Sequence, residues 1–223
     1  MAPRKPKCRK TDGNATSGEP GQKPGVFQVT IDGKVKAHLA RLAKQFTLAA
    51  KDDAAVFYDL CFVLCAPQTR FARNMLAQQT LQSVGFYRTS LTLEEVEGVL
   101  KGRVRFWRAC ARRLLEAKAA WPDILQLLRS DKPWAAKRTW LVENVNGLGM
   151  KTASHLLRNL GATDLAIIDT HVLKYLGIRG SWKYEAVEEV FRHRAKGKGL
   201  TVAELDMVVW QAYSGTPWDK YVA

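Results

Sequence analysis

The chain has 223 residues, 47% of them apolar, with 35 Lys plus Arg against 21 Asp plus Glu, a formal net charge of +14. That length suits one globular unit or two interleaved lobes with a real core. The positive excess makes a polyanion the first partner to consider, because a basic surface binds a phosphate backbone by releasing its counterions; the plain alternative is a basic but inert surface.

Several classes fall away. No run of about 18 apolar residues occurs, so no membrane span is expected. The charged N-terminus lacks the apolar stretch of a secretory signal, and the expected setting is the cytoplasm, in association with the nucleoid. Four cysteines stand at 8, 61, 65 and 110. They form neither the close cluster of an iron–sulfur centre nor a zinc pattern. Cys61 and Cys65, one helical turn apart in an apolar stretch, read as buried reduced thiols.

Residues 1–25, rich in Lys, Arg, Pro, Gly and Ser, read as a flexible basic tail. Residues 26–31 alternate like a short strand, and Asp32-Gly33 suggests a turn. Beyond them helix signals dominate. "AAVFYDLCFVLCA" (54–66) is apolar on several faces and reads as a buried helix ended by Pro67. An amphipathic helix is expected over 70–84, and Thr92 with Glu95 boxes the start of another over 93–101. "VRFWRACARRLLEAKAA" (104–120) combines an apolar stripe with an arginine-rich face. Pro122 and Pro133 sit where first helical turns begin, and Thr201 with Glu204 caps a last helix that includes Trp210. The chain reads as all-α, with about ten helices joined by short loops, the strand at 26–31 being a minor addition.

"NVNGLGMKTASHLLRNLG" (144–161) carries the main functional signal. Trp140, Leu141 and Val145 close one helix. Gly147 and Gly149 make a tight turn that needs positive φ or close backbone approach. A second helix follows, with Ala153, Leu156, Leu157 and Leu160 facing the core. Such a turn leaves N–H groups of the new helix free for an anion, and in a basic chain a DNA phosphate is the natural one. An ordinary joint between two helices has the same pattern. Lys151, in the first turn, faces the positive end of the helix dipole; with partial burial, this favours the free amine that a Schiff-base lysine requires. Ser154 and His155 follow it at helical spacing and are candidates to flank it. Eighteen residues on, the apolar run Leu165–Ile168 ends on Asp169, which can both cap the next helix and face Lys151. There its carboxylate accepts the amine's proton or stabilises a cationic sugar.

The stretch resembles the helix-hairpin-helix motif, with its Gly/Pro loop and aspartate, of base-excision DNA glycosylases such as endonuclease III and the 8-oxoguanine glycosylases. The hairpin Gly147-Leu148-Gly149, Lys151, Asp169 and His171 match in order and spacing. "LCAPQTRFARN" (64–74) is similar to a segment of the compact archaeal-type 8-oxoguanine glycosylase/AP lyases. The likeness covers roughly residues 50–215, and it departs from the wider family where Ile167 and Ile168 replace a proline before the aspartate.

The resemblance implies two helical lobes with a DNA cleft between them. The middle lobe is expected over about 67–170, and the second from about 26–66 plus 171–223. It implies a monomeric, bifunctional glycosylase/AP lyase acting on double-stranded DNA, with Lys151 and Asp169 catalytic. Gly147, Gly149, Met150 and His171 would contact DNA. Gln68, with Arg70 beside it, would fill the gap left by a flipped base. Trp210 and Trp218 are the candidates for stacking on that base. In the compact class the extreme C-terminus enters the base pocket and ends on a lysine; here Asp219 and Lys220 would line it, with three residues to follow. No cofactor or metal is expected, beyond at most a monovalent cation at the hairpin. The expected base is 8-oxoguanine. Alternatives are another modified base, such as a bulky modified cytosine in invading DNA, and a non-catalytic DNA-binding protein.

Overall fold

In the computed structural model, residues 31–215 are described, and they form helices and connecting loops with no strand among them. In chain order these are α1 (Gly33–Ala49), α2 (Asp53–Cys65), α3 (Phe71–Ser83), α4 (Leu93–Leu100), α5 (Trp107–Ala119), α6 (Trp121–Arg129), α7 (Trp134–Asn144), α8 (Met150–Asn159), α9 (Thr170–Leu176), α10 (Tyr184–Lys196) and α11 (Val202–Ser214). The basic tail and the strand candidate, except Ile31, lie outside the described residues, as do Trp218, Asp219 and Lys220. No described helix is long and apolar enough to cross a membrane.

Helix starts follow their caps. Thr92 and Thr201 each close a capping box, with Glu95 and Glu204 respectively, and Asp52 accepts from the amides of Ala54 and Ala55. Each such cap contributes about 1 kcal/mol. Asp32 also caps: its Oδ1 accepts from Val35 N at 2.8 Å. Asp32-Gly33 is therefore a helix start and not the turn expected of it. The arginine-rich helix starts at Trp107, and residues 101–106 form turns before it.

The apolar residues collect in two main clusters and a smaller one. The largest runs from Val56 to Leu165 and unites α2 through α8. The second runs from Ala166 to Val209 and unites α9, α10 and α11. α1 joins α11 through Leu39, Leu42, Met207 and Val208. This moves the expected lobe boundary, because α2 sits inside the first cluster and not with the C-terminal helices. The cause is its composition. Nine consecutive or near-consecutive side chains from Val56 to Cys65 are buried, and a helix apolar on every face must be surrounded; α3, α5 and α8 surround it. Cys61, Cys65 and Cys110 are buried and unbridged. The chain crosses between the clusters at residues 165–166, immediately before Asp169.

Candidate active site

The hairpin joins α7 to α8 through residues 145–149. Leu148 N donates to Val145 O at 3.1 Å, closing the turn. Gly147 has φ +95°, and a Cβ there would meet Arg113 Cδ at 2.5 Å and Leu64 Cδ2 at 3.3 Å. Both conformation and space therefore demand glycine. Gly149 differs: its φ of −113° and ψ of 179° are extended, and a Cβ would meet nothing within 4 Å. Its backbone needs no glycine; what it leaves is open space at the start of α8. Its N–H is satisfied by Thr152 Oγ1 at 2.9 Å. The hairpin is tied to α5 through Asn146 Nδ2, which donates to Glu116 Oε2 at 2.9 Å.

Lys151 is the second residue of α8 and is exposed. The partial burial expected of it is absent in the structure. Asp169 is partly buried and caps α9, its Oδ1 accepting from His171 N at 2.8 Å and Val172 N at 3.0 Å. Oδ2 takes no hydrogen bond from the described residues.

Lys151 and Asp169 line the same cavity, of about 690 Å³, formed by α1, α2, α3, α8, α9 and α11. That volume lies within the range of small-molecule sites. Its inner wall is polar. Arg158 donates to Asp206 Oδ2 at 2.6 Å and to Asn159 Oδ1 at 3.2 Å, and Asn159 with Gln78 hydrogen-bonds Asp59. Burial is the main influence on both acids, raising Asp59 and Asp206 to about 6 against the partial opposition of Arg158. Asp169 adds to the rise at Asp206. His155, one turn beyond Lys151, is held well below its ordinary range by burial and by the Arg158 and Lys151 charges. Phe62, Phe71 and Trp210 supply aromatic surface to the same cavity.

The profile of the 8-oxoguanine DNA glycosylase family matches residues 39–199. The chain belongs to that family. It is 32% identical to an 8-oxoguanine DNA glycosylase/AP lyase of Thermoplasma volcanium over 201 residues, covering 85% of this chain and 96% of the relative. With the protein of the same description from Metallosphaera sedula the identity is 31%, over 84% and 96%. The crystal structure of the Methanocaldococcus jannaschii 8-oxoguanine DNA glycosylase superposes with a TM-score of 0.73 at 27% identity, over 82% of this chain and 90% of that one. A second structure, of that organism's 8-oxoguanine glycosylase/lyase in complex with a 15-mer DNA containing 8-oxoguanine, also gives 0.73, at 26% identity over 82% and 93%.

The fold gathers four of the expected site residues. Lys151, Asp169, His171 and Trp210 share the cavity. His171 Nδ1 is buried and takes no hydrogen bond from the described residues. Met150 is the first residue of α8, beside Gly149. Gln68 and Arg70 are exposed on the loop that leads from α2 to α3, and Thr69 between them reaches the cavity. Gln68 has φ +54°, the one positive φ among the described non-glycine residues. Of the two candidate flanks of Lys151, His155 lines the cavity, whereas Ser154 is fully buried and turns towards Arg138.

Sequence patterns do not disclose the rest of the site. Asp59, Gln78, Arg158 and Asp206 line the cavity, yet none is among the residues expected there from spacing or family likeness. Asp59 and Asp206 do leave a signal: each interrupts an apolar run, in "VFYDLCF" and "AELDMVV". An acid inside a buried helix needs a reason to be there. Phe106 is a further addition. It is 46% exposed, and its neighbour Arg105 donates through its backbone N–H to Thr69 Oγ1 at 3.4 Å, so it stands beside the Gln68 loop.

Proposed function

We propose that the protein is a bifunctional DNA glycosylase/AP lyase that extrudes 8-oxoguanine from duplex DNA and acts as a monomer. The observation that carries this reading is the convergence of Lys151 and Asp169, from separate helices, on one cavity of about 690 Å³, roomy enough to admit a nucleobase, in a chain of net charge +14. The Lys151 amine attacks C1′ of the extruded nucleoside. The glycosidic bond breaks, and its electron pair leaves with the base. Asp169 opposes the positive charge that grows on the sugar and accepts the proton released from the amine. Opening of the sugar ring gives a lysine–C1′ imine, which acidifies C2′. Loss of a C2′ proton then expels the 3′ phosphate, and water frees Lys151.

The remaining residues suit the supporting roles. The open face at Gly149 and the first amides of α8 receive a phosphate, without reading sequence, and His171 contacts another. Gln68, on its strained loop, enters the stack vacated by the base. Trp210 offers a face for stacking. Asp59, Asn159 and Gln78 present acceptors to a base that carries donors on its edge, as guanine derivatives do. The chemistry needs no redox cofactor. A monovalent cation at the hairpin would use the carbonyls of Asn146, Gly147 and Leu148, which accept no hydrogen bond from the described residues.

The test is incubation with a duplex containing 8-oxoguanine under borohydride. A covalent protein–DNA adduct, released base and a nicked strand are expected. Binding without an adduct would leave only a DNA-binding protein.

A further inference from the structure

Lys151 rides on a helix that supplies its own framework, whereas Asp169 follows a segment with none. Residues 165–169 belong to no helix or strand, and Leu165 through Ile168 are buried. Buried amide groups must find partners. Here the partners are side chains, all from α10 and α11. Ala166 N donates to Glu188 Oε1 at 2.9 Å. The Tyr184 hydroxyl donates to Ala166 O at 2.6 Å and accepts from Ile168 N at 3.2 Å. The Ile167 amide interacts with the Asp206 carboxylate. A proline in this pair would have lacked an N–H; with Ile167 and Ile168 in place, both N–H groups are present and both are used.

The cluster reaches the other half of the site as well. Arg138 of α7 holds Glu188 through two bonds, of 2.6 and 2.8 Å, and donates to Ser154 Oγ at 3.1 Å. Ser154 lies one turn past Lys151 on α8. Burial pushes the Tyr184 phenol up to about 12, so it stays neutral and keeps the proton it donates. One connected set of side chains thus fixes the segment that ends on Asp169 against the helix that carries Lys151.

We propose that Tyr184 and Glu188 are positioning residues: by fixing the backbone of residues 166–168 they aim the Asp169 carboxylate at the reacting sugar. The claim rests on the catalytic reading of Asp169 given above. A purely structural role would weaken every activity together. A positioning role acts on the step that needs Asp169. On a preformed abasic site the aldehyde is already available, so imine formation by Lys151 has no glycosidic bond to break and little sugar cation to stabilise.

The experiment uses the full chain as wild type, Tyr184→Phe, Glu188→Gln, Asp169→Asn and the Tyr184→Phe/Asp169→Asn double variant. Two quantities are measured: single-turnover release of 8-oxoguanine, and borohydride trapping on a duplex with a preformed abasic site. Tyr184→Phe should slow release roughly ten- to hundredfold, the scale of a small misplacement of a catalytic group. Its trapping should stay within about twofold of wild type, and it should add almost nothing in the Asp169→Asn background. Glu188→Gln strips Arg138 of its buried counter-charge and is expected to weaken the fold as well, so Tyr184→Phe is the deciding variant. Release at the wild-type rate, a parallel fall in trapping, or a loss that multiplies in full with that of Asp169→Asn would each overturn the inference. A wild-type chain that releases no base would instead overturn the proposed function, and the inference with it.

Discussion

The Gly147 hairpin and the segment 165–169 bring Lys151 and Asp169 to one cavity by opposite means. The hairpin is shaped by its own residues: a glycine at φ +95° under Arg113, a closing backbone bond, and a helix that starts at once. The segment before Asp169 has no local rule of that kind. Its amides are held by Tyr184, Glu188 and Asp206, some 16 to 40 residues further on. A loop whose backbone is fixed by its own chain can be read in a line of text. A loop fixed by distant side chains cannot.

The comparison can be broken most severely at Lys151, the proposed nucleophile. Lys151→Gln should reduce base release and nicking to background while duplex binding persists, because an exposed side chain is lost and the hairpin is left whole. A borohydride-stable adduct in that variant would remove Lys151 from its role. Next comes Asp169→Asn. It should slow single-turnover release roughly 100- to 1000-fold, by loss of charge opposite the sugar. The expected change in stability is about 1 kcal/mol or less, since Asn caps nearly as well as Asp. Near-normal turnover would confine Asp169 to capping.

The two glycines sharpen the same contrast. Gly147→Ala should destabilise by about 1–3 kcal/mol, from a positive φ together with the Arg113 contact, as followed by urea denaturation. Gly149→Ala should change stability by under about 1 kcal/mol, and yet lower affinity for all duplexes alike if the open face meets a phosphate. Equal stability losses in the two variants would contradict the geometry.

The last effect concerns pH. Asp59 and Asp206 hold their protons up to about 6 in the folded chain, against a usual value of 3.8. Folding therefore takes up protons between about pH 4 and 6, and the stability this lends below that window is lost as pH rises through 6. Asp59→Asn removes one of the two groups. Relative to wild type, its stability should improve by up to about 2 kcal/mol between pH 4.5 and 7.5. Denaturation curves at the two pH values, with parallel slopes throughout, would reveal no gain if Asp59 is ionised in the fold.

How far each part was legible follows from the same distinction. Capping boxes at Thr92 and Thr201 and the apolar faces of α2 and α8 are local patterns, and they placed their helices within a few residues. The hairpin turn was legible through spacing and a family likeness, which also singled out Lys151 and Asp169, the two residues the fold brings to one cavity. The lobe boundary was misplaced because periodicity shows that α2 is buried, not which helices bury it. The turn expected at Asp32-Gly33 missed the N-cap role that Asp also favours. The polar wall of the cavity is assembled from α2, α3, α8 and α11, and no single stretch of sequence records such a meeting.

The bonding of residues 166–168 has a consequence for amide exchange with solvent. Loops outside regular structure ordinarily exchange within the fast part of the profile. These three amides are buried and each is held by a side chain, so they exchange only when α10 or α11 separates from the segment. Deuterium uptake at this one short loop is therefore a gauge of how often the C-terminal helices let go of the segment that ends on Asp169. It can be read in the free protein, before any DNA is added.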